Sequence, residues 1–245
     1  MFLKKLIDII LSSIYLLYFG AILCIFHVIQ YLCYTLGGQK THQKSVEWLN
    51  FLIVKGWILT GSTSSINIKQ ELPKNQTIIF ISNHQSMFDI PGIVWYLRTH
   101  TPLFISKKEL ATGVPSISYN LRVSKAALID RADHKQSIAE IIRFANYIRE
   151  NKFSAVIFPE GTRSKTGKLK PFAVGGIATL LKKCPDAIVV PVAIKGSGKF
   201  SPKGFFPLTS FTHLSWTTLI PIKTTDKTYE EITREAEIQI AEFIA

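Results

Sequence analysis

The stretch between Asp8 and Lys40 constrains this chain most, because it contains no Asp, Glu, Lys or Arg. A helix needs only about 20 apolar residues to cross a bilayer core. The run is too long for the apolar part of a signal peptide and no cleavage pattern follows it, so we expect it to stay attached. It predicts either one tilted span or a helical hairpin in one leaflet, with residues 48–60 as the second arm. A core helix of a soluble protein is the alternative.

The rest of the chain has the pattern of an α/β domain. Short apolar runs predict strands at 66–68, 77–82, 103–106, 126–130, 154–158, 187–194 and 213–222. Helical patterns lie near 90–97, 135–150 and 175–183, and an amphipathic helix is predicted at 229–244. This alternation favours a mostly parallel or mixed sheet flanked by helices. We therefore divide the chain into an N-terminal membrane anchor, residues 1–62, and an α/β domain, residues 63–245.

The charge of the chain predicts a polyanionic partner. Lys and Arg number 29 against 17 Asp and Glu, a formal net charge of +12. Nucleic acid and an anionic membrane surface both fit such an excess. The apolar content of 47% favours the membrane, and the sequence has no recognisable nucleic-acid-binding signature. Cys24, Cys33 and Cys184 have neither an even count nor metal-ligand spacing, so they are interpreted as reduced thiols.

A proton-handling pair is predicted in the motif Asn83-His-Gln-Ser-Met-Phe-Asp89, which follows the predicted strand 77–82. Pro91 is tolerated only in the first turn of a helix, so a helix should begin near Asp89. His84 then lies in a turn, where its imidazole and the Asp89 carboxylate can meet. A carboxylate that accepts one ring N–H leaves the other nitrogen free to remove a proton. The alternative is that Asp89 is only a helix cap and His84 only a turn residue.

A second motif, Glu160-Gly-Thr-Arg-Ser164, follows the strand predicted at 154–158. A turn at a strand end that carries glycine, a hydroxyl and an arginine can bind a phosphate, with Arg163 as a planar charged fork. An ordinary polar loop with a solvated arginine is the alternative. Beyond it, a solvated loop or lipid-facing patch is indicated by Lys165, Lys168 and Lys170.

Four blocks in this order resemble the glycerolipid acyltransferases that carry a His-x4-Asp motif. They are 83–89, 107–110 through 128–131, 158–164 and 189–194. Together they lie within roughly residues 78–195, and the sequence is most similar to the 1-acylglycerol-3-phosphate acyltransferases of bacteria. One His-x4-Asp spacing occurs by chance, whereas four ordered blocks are a specific signal. A membrane-associated N-terminus is also expected of this family.

The resemblance implies direct acyl transfer to the free hydroxyl of an acylated glycerol phosphate. The hydroxyl would attack the thioester of acyl-CoA or acyl carrier protein, with no covalent acyl-enzyme. Carried over to this sequence, His84 is the base, and Asp89 orients it and stabilises the imidazolium. Backbone donors would stabilise the oxyanion.

The resemblance also implies how the acceptor is held. Arg163 would bind its phosphate with help from the turn at Gly161 and Thr162, and Lys107 is a second phosphate-binding candidate. Glu160 would bind or orient the glycerol, or shape the turn. No cofactor is expected, and one His and one Asp lack the further ligands of a zinc site. Lysophosphatidic acid and membrane lipids are the expected partners, at a bacterial inner membrane with the catalytic domain on its cytoplasmic side.

Two departures from the family pattern leave the acceptor open. Ala173 follows the Pro171–Phe172 pair where the family often has lysine, and the stretch from Ser116 to Arg122 is more polar than expected. Another lysophospholipid or a lyso-amino-lipid is therefore the alternative acceptor. A basic membrane-anchored binding protein would leave both motifs unexplained, and a serine hydrolase lacks its Gly-x-Ser-x-Gly elbow.

Overall fold

The computed structural model describes residues 2–164 and 167–245. Within them, seven strands form one sheet in the order β1-β7-β6-β2-β5-β3-β4. Neighbouring strands are parallel except for the antiparallel pair β6–β7. The strands are β1 (Thr63–Ile68), β2 (Ile78–Ser82), β3 (Pro102–Lys107), β4 (Ala127–Ile129), β5 (Ser154–Ile157), β6 (Ile188–Lys195) and β7 (His213–Thr218).

Helices cover both faces of this sheet. The α-helices are α1 (Phe2–Gly56), α2 (Asp89–Tyr96), α3 (Ile117–Val123), α4 (His134–Asn151), α5 (Val174–Lys183), α6 (Ser197–Phe200) and α7 (Tyr229–Ile244). Short 3₁₀ turns occupy Trp57–Thr60, Arg98–His100 and Lys108–Ala111. One core lies between the sheet and the helices α1 and α2, and the other between the sheet and the helices α4, α5 and α7. The mixed α/β sheet flanked by helices confirms the predicted fold class.

Each predicted strand has a counterpart, but the last one is shorter than its apolar run. The pattern predicted 213–222, whereas β7 ends at Thr218. Pro221 has no N–H to donate to a ladder, and the chain returns to the sheet only in an isolated bridge between Ile222 and Val189. The helix α3 and the single turn α6 were not predicted, because each is too short to show a helical period.

The N-terminal helix is a hairpin and not one straight span. Its axis breaks at Gly38, which has φ 66° and ψ −161°, a backbone conformation that glycine adopts without steric cost. The two arms then lie against each other. The Tyr18 hydroxyl donates to the carbonyl of Leu52 over 3.0 Å, and the Trp57 indole donates to the Tyr15 hydroxyl over 3.1 Å. The second arm follows Gly38 directly and is longer than the predicted 48–60.

The hairpin shares a hydrophobic core with the sheet. Tyr15 and Trp57 are buried together with Phe88 and Trp216, and the two indole rings stack with centroids 5.7 Å apart. The opposite surface is apolar and open, as at Leu17, which is 76% exposed. Among the described residues, this is the one helix long and apolar enough to cross a membrane, and a third of its most apolar window is buried.

Candidate active site

Strands β6, β2, β5 and β3 run parallel and end at one edge of the sheet. In open α/β sheets ligands bind in the crevice outside these carboxyl ends. The two motifs lie there because each directly follows a buried strand: His84 comes soon after β2, and Glu160 soon after β5. Lys107 is the last residue of β3. The sheet therefore brings together residues that are far apart in sequence.

The side chains of His84 and Asp89 meet across the turn between β2 and α2. His84 Nδ1 lies 2.8 Å from Asp89 Oδ2. The carboxylate accepts this proton, so the neutral ring carries its hydrogen on Nδ1 and has a lone pair on Nε2. No described residue hydrogen-bonds to Nε2, and the side chain is 14% exposed and lines the central cavity. This tautomer is the one that can accept a proton from a bound hydroxyl.

Asp89 is fixed more tightly than a helix cap requires. It is fully buried as the first residue of α2, and its Oδ2 also accepts the backbone N–H groups of Gln85 and Ser86, at 2.8 and 2.9 Å. The Trp216 indole donates to its carbonyl over 3.1 Å. Asp89 therefore closes the turn and orients His84 at once.

Phe158 fixes the plane of the imidazole. Its ring stacks on that of His84, with centroids 4.2 Å apart and planes inclined by 20°. Phe158 directly follows β5 and precedes the second motif. Phe158 lies in the sequence block 158–164, but the sequence predicted no role for it, since nothing along the chain shows that the two turns touch.

Glu160 hydrogen-bonds the turn after β5 to the turn after β2. Its Oε1 accepts the backbone N–H of His84 over 2.6 Å, and its Oε2 accepts that of Lys170 over 3.0 Å. Burial raises the pKa of this carboxyl, and the two backbone N–H donors offset part of that rise. Glu160 is not among the residues that line the cavity. Its contacts are those of a residue that shapes the turn, whereas acceptor binding stays a prediction.

Arg163 presents an exposed guanidinium to the cavity. Its side chain has no hydrogen-bond or ion-pair partner among the described residues. The ammonium of Lys170 caps the same turn, with the Thr162 hydroxyl at 2.7 Å and the Arg163 carbonyl at 3.0 Å. Gly161 has φ 70°, which suits the tight turn. Lys170, which the sequence placed in a solvated or lipid-facing basic run, thus hydrogen-bonds to the turn. Lys165 of the same run lies outside the described residues.

One large cavity of about 2030 Å³ joins these elements. Its lining includes His84, Gly161, Thr162 and Arg163, and also Lys107. The structure thus brings all but two of the predicted site residues to one cavity, and those two, Asp89 and Glu160, are hydrogen-bonded to His84 from behind.

Several cavity-lining cations were missed by the sequence analysis. They are Arg131, Lys195, Lys199 and Lys203. Lys195 ends β6, so its place at a strand end was the available signal. Within residues 2–164 and 167–245 no group of three or more His, Cys, Asp or Glu could hold a metal ion.

The comparisons with known proteins agree with this geometry. A family model described as acyltransferase matches residues 64–195. A match over more than half of the 245 residues shows that the chain belongs to the acyltransferase family.

Two named relatives illustrate the similarity. The 1-acyl-sn-glycerol-3-phosphate acyltransferase of Cocos nucifera is 33% identical over 161 residues, which is 65% of this chain and 45% of that protein. The protein of the same name from Borreliella burgdorferi is 24% identical over 62% of this chain and 61% of its own length. The chain therefore spans less than half of the plant protein and about three fifths of the bacterial one.

A solved structure shows the same fold along nearly the whole chain. It is the 1-acyl-sn-glycerophosphate acyltransferase PlsC from Thermotoga maritima, at a TM-score of 0.80 and 22% identity, covering 98% of this chain and 95% of that one. The match includes the N-terminal hairpin as well as the sheet, since both lie within the covered length.

Proposed function

We propose that the protein moves a fatty acyl group from an acyl thioester to the free sn-2 hydroxyl of 1-acylglycerol 3-phosphate, giving phosphatidic acid. The observation that carries this proposal is the 2.8 Å contact between His84 Nδ1 and Asp89 Oδ2 at the wall of a cation-lined cavity. The named relatives and the family match support it. A membrane-anchored binding protein would need neither an oriented imidazole nor a buried carboxylate behind it.

In the proposed reaction His84 acts as general base. As the acceptor oxygen attacks the thioester carbonyl, Nε2 takes the hydroxyl proton, and Asp89 stabilises the imidazolium that forms. An O–C bond forms, and the tetrahedral intermediate then collapses with cleavage of the C–S bond. The imidazolium returns its proton to the leaving thiolate, so the products are the ester and the free thiol. No covalent acyl-enzyme is required.

The acceptor's phosphate is proposed to bind at Arg163 and Lys107. Arg163 extends from the turn after β5 and Lys107 ends the adjacent strand β3, so both cations reach the cavity from one side of His84. A guanidinium can hold two phosphate oxygens at once, while an ammonium adds a point charge. The thioester is proposed to come from acyl-CoA or acyl carrier protein.

The protein is proposed to work at a membrane surface, with the helical hairpin as its anchor. The loop after α6 adds exposed aromatic side chains beside α1: Phe205 is 44% exposed and packs against buried Phe19 with centroids 5.9 Å apart. Phe206 beside it is 45% exposed. Aromatic side chains favour the headgroup level of bilayers. We place the domain on the cytoplasmic side of a bacterial inner membrane, which agrees with three free cysteines.

An acyl-transfer assay tests the proposal. The full chain in detergent or nanodiscs would be offered lysophosphatidic acid, other lysophospholipids and a lyso-amino-lipid, each with acyl-CoA or acyl carrier protein. We expect phosphatidic acid as the main product. Transfer only to an acceptor without a phosphomonoester would overturn the proposed substrate. Thioester hydrolysis without transfer to any of them would overturn the reaction class.

A further inference from the structure

The cations around the cavity form two groups. The first contains Lys107, Arg131, Arg163 and Lys170, and the second contains Lys195, Lys199 and Lys203. Among the described residues that line the cavity there is no Asp or Glu. Outside the lining, Glu109 interacts electrostatically with Arg131 and Glu160 with Lys170, both in the first group. A cleft lined by one sign of charge concentrates ligands of the opposite sign. The proposed acceptor phosphate accounts for the first group only.

The order of the strands separates the two groups. His84 follows β2, whose neighbours are β5 on one side and β6 on the other. Arg163 and Lys107 follow β5 and β3, whereas the second group begins at the end of β6. Neighbouring strands lie about 4.8 Å apart, so the ends of β3 and β6 are separated by about 14 Å. A phosphate held by Arg163 and Lys107 on the β5–β3 side of His84 therefore leaves the end of β6, on the other side of β2, for a second ligand.

The lysines of the second group are available to bind an anion. Lys199 and Lys203 are exposed, and neither side chain has a hydrogen bond or ion pair with a described residue. Lys195 lies with Nζ 5.0 Å from the centre of the Phe243 ring. Gly198 brings this segment against the first motif, since its N–H faces the side-chain oxygen of Gln85, next to His84, at 3.4 Å.

We propose that Lys195, Lys199 and Lys203 bind the phosphate-bearing end of the acyl donor, a thioester of phosphopantetheine. This inference rests on the proposed function. A transfer at His84 needs the acceptor hydroxyl and the donor carbonyl together, and an acceptor held at Arg163 and Lys107 leaves the β6 side for the donor. Coenzyme A and acyl carrier protein share a pantetheine arm that ends in phosphate, and that phosphate is the group recognised here.

The test is the double variant Lys199→Ala/Lys203→Ala in the full chain, in nanodiscs of phosphatidylcholine. We expect KM for acyl-CoA to rise about 10-fold or more, as for the loss of two exposed charge contacts to a multiply charged ligand. KM for an S-acyl-pantetheine without phosphate should stay unchanged, as should KM for the lysolipid. The matched control is Lys182→Ala/Lys223→Ala, which removes two exposed lysines that do not line the cavity.

Assays with the two acyl donors, acyl-CoA and acyl carrier protein, identify which phosphate is bound. If the double variant raises KM for acyl-CoA alone, the three lysines bind a phosphate of coenzyme A. If KM rises equally with acyl carrier protein as the donor, they bind the phosphopantetheine phosphate that both donors share. The inference is wrong if KM for both donors is unchanged, or if the phosphate-free thioester is affected equally. The inference is also wrong if KM for acyl-CoA rises in the double variant only when the nanodiscs contain anionic lipid, because the lysines would then contact the membrane.

Direct binding separates failure of this inference from failure of the proposed function. Calorimetry with coenzyme A on the full chain needs no turnover. Weaker binding to Lys199→Ala/Lys203→Ala than to the control variant would support the site even if lysophosphatidic acid were not acylated. Binding that is equal in both variants would refute a coenzyme A site, whatever the acceptor.

Discussion

The turns after β2 and β5 occupy neighbouring places at the same sheet edge but are built in opposite ways. The β2 turn is closed from within by buried Asp89, which hydrogen-bonds to Gln85, Ser86 and His84. The charged group of the β5 turn is not buried in the turn: the Arg163 side chain is exposed and lines the cavity. A proton-transfer group needs a fixed geometry, whereas a group that captures a phosphate from solution or membrane must be accessible. One edge of the sheet thus offers both a rigid imidazole–carboxylate pair and an accessible guanidinium.

The two turns nevertheless depend on each other. Both backbone groups of His84 are hydrogen-bonded to the second motif: its N–H to Glu160 Oε1, and its carbonyl to the N–H of Ser164 at 2.8 Å. Phe158 adds the ring that stacks on the imidazole. The His84 imidazole is therefore oriented by one turn and supported by the other, and substitutions can separate these contributions.

The largest effect is expected for His84→Ala, which removes the base from the rigid turn. We expect kcat for acyl transfer to fall by about 10²–10⁴-fold, the usual contribution of general acid–base catalysis. Binding of lysophosphatidic acid should change little, because the cations remain. Single-turnover assays together with equilibrium binding would measure the two. Wild-type turnover in the alanine variant would show that His84 is not the base.

Asp89→Asn tests whether the carboxylate orients the ring. The amide keeps the shape of the side chain but can donate to Nδ1, which would place the ring proton on Nε2, the wrong nitrogen for a base. We expect kcat to fall by about 10²-fold with the fold intact. The pH profile of kcat is the readout that a merely structural role would not move. An unchanged profile and rate would leave Asp89 as a helix cap only.

Arg163→Ala should act on binding rather than on chemistry. Loss of a charge-assisted contact to phosphate should raise KM for lysophosphatidic acid by about 10-fold, with kcat nearly constant. Arg163→Lys is the matched control, since it keeps the charge without the planar fork, and its KM should be intermediate. An unchanged KM in the alanine variant would remove Arg163 from the phosphate site.

Glu160→Gln should give the smallest change in rate and the clearest change in stability. An amide has one acceptor oxygen, so the N–H of either His84 or Lys170 loses its partner. We expect the unfolding free energy to fall by about 1–3 kcal/mol. Chemical denaturation would measure it. Full wild-type stability in the variant would show that Glu160 does not tie the two turns.

The difference in unfolding free energy between wild type and Glu160→Gln should depend on pH, and the raised pKa of Glu160 fixes the direction. Burial raises the pKa of Glu160 above its ordinary value of 4.5, so the folded state holds the proton more strongly than the unfolded chain. Its contribution to stability is then complete below pH 4.5 and declines as the pH rises through the folded pKa. The stability gap between wild type and Glu160→Gln should accordingly narrow from pH 4 to pH 7. A gap that widens over this range would contradict the raised pKa.

Local sequence determined most of the helices and strands of this protein and nominated the residues proposed to react. The β-branched run before Asn83 and the proline after Asp89 sufficed to predict a strand, a turn and a helix start. The apolar stretch after Asp8 indicated a long helix, although only Gly38 with its positive φ, seen in three dimensions, decided for a hairpin. These features depend on periodicity and backbone preference, which a chain carries in every short window.

Contacts between distant segments were decided only by the tertiary structure. Nothing along the chain shows that Glu160 accepts the N–H of His84 or that Phe158 stacks on the imidazole. Nor does it show that Lys195 ends the strand on the other side of His84. These contacts depend on the order of the strands in the sheet, which is a property of the whole fold. Strand order brings β2 between β5 and β6, and parallel pairing is set by the packing of whole layers, which no local pattern encodes.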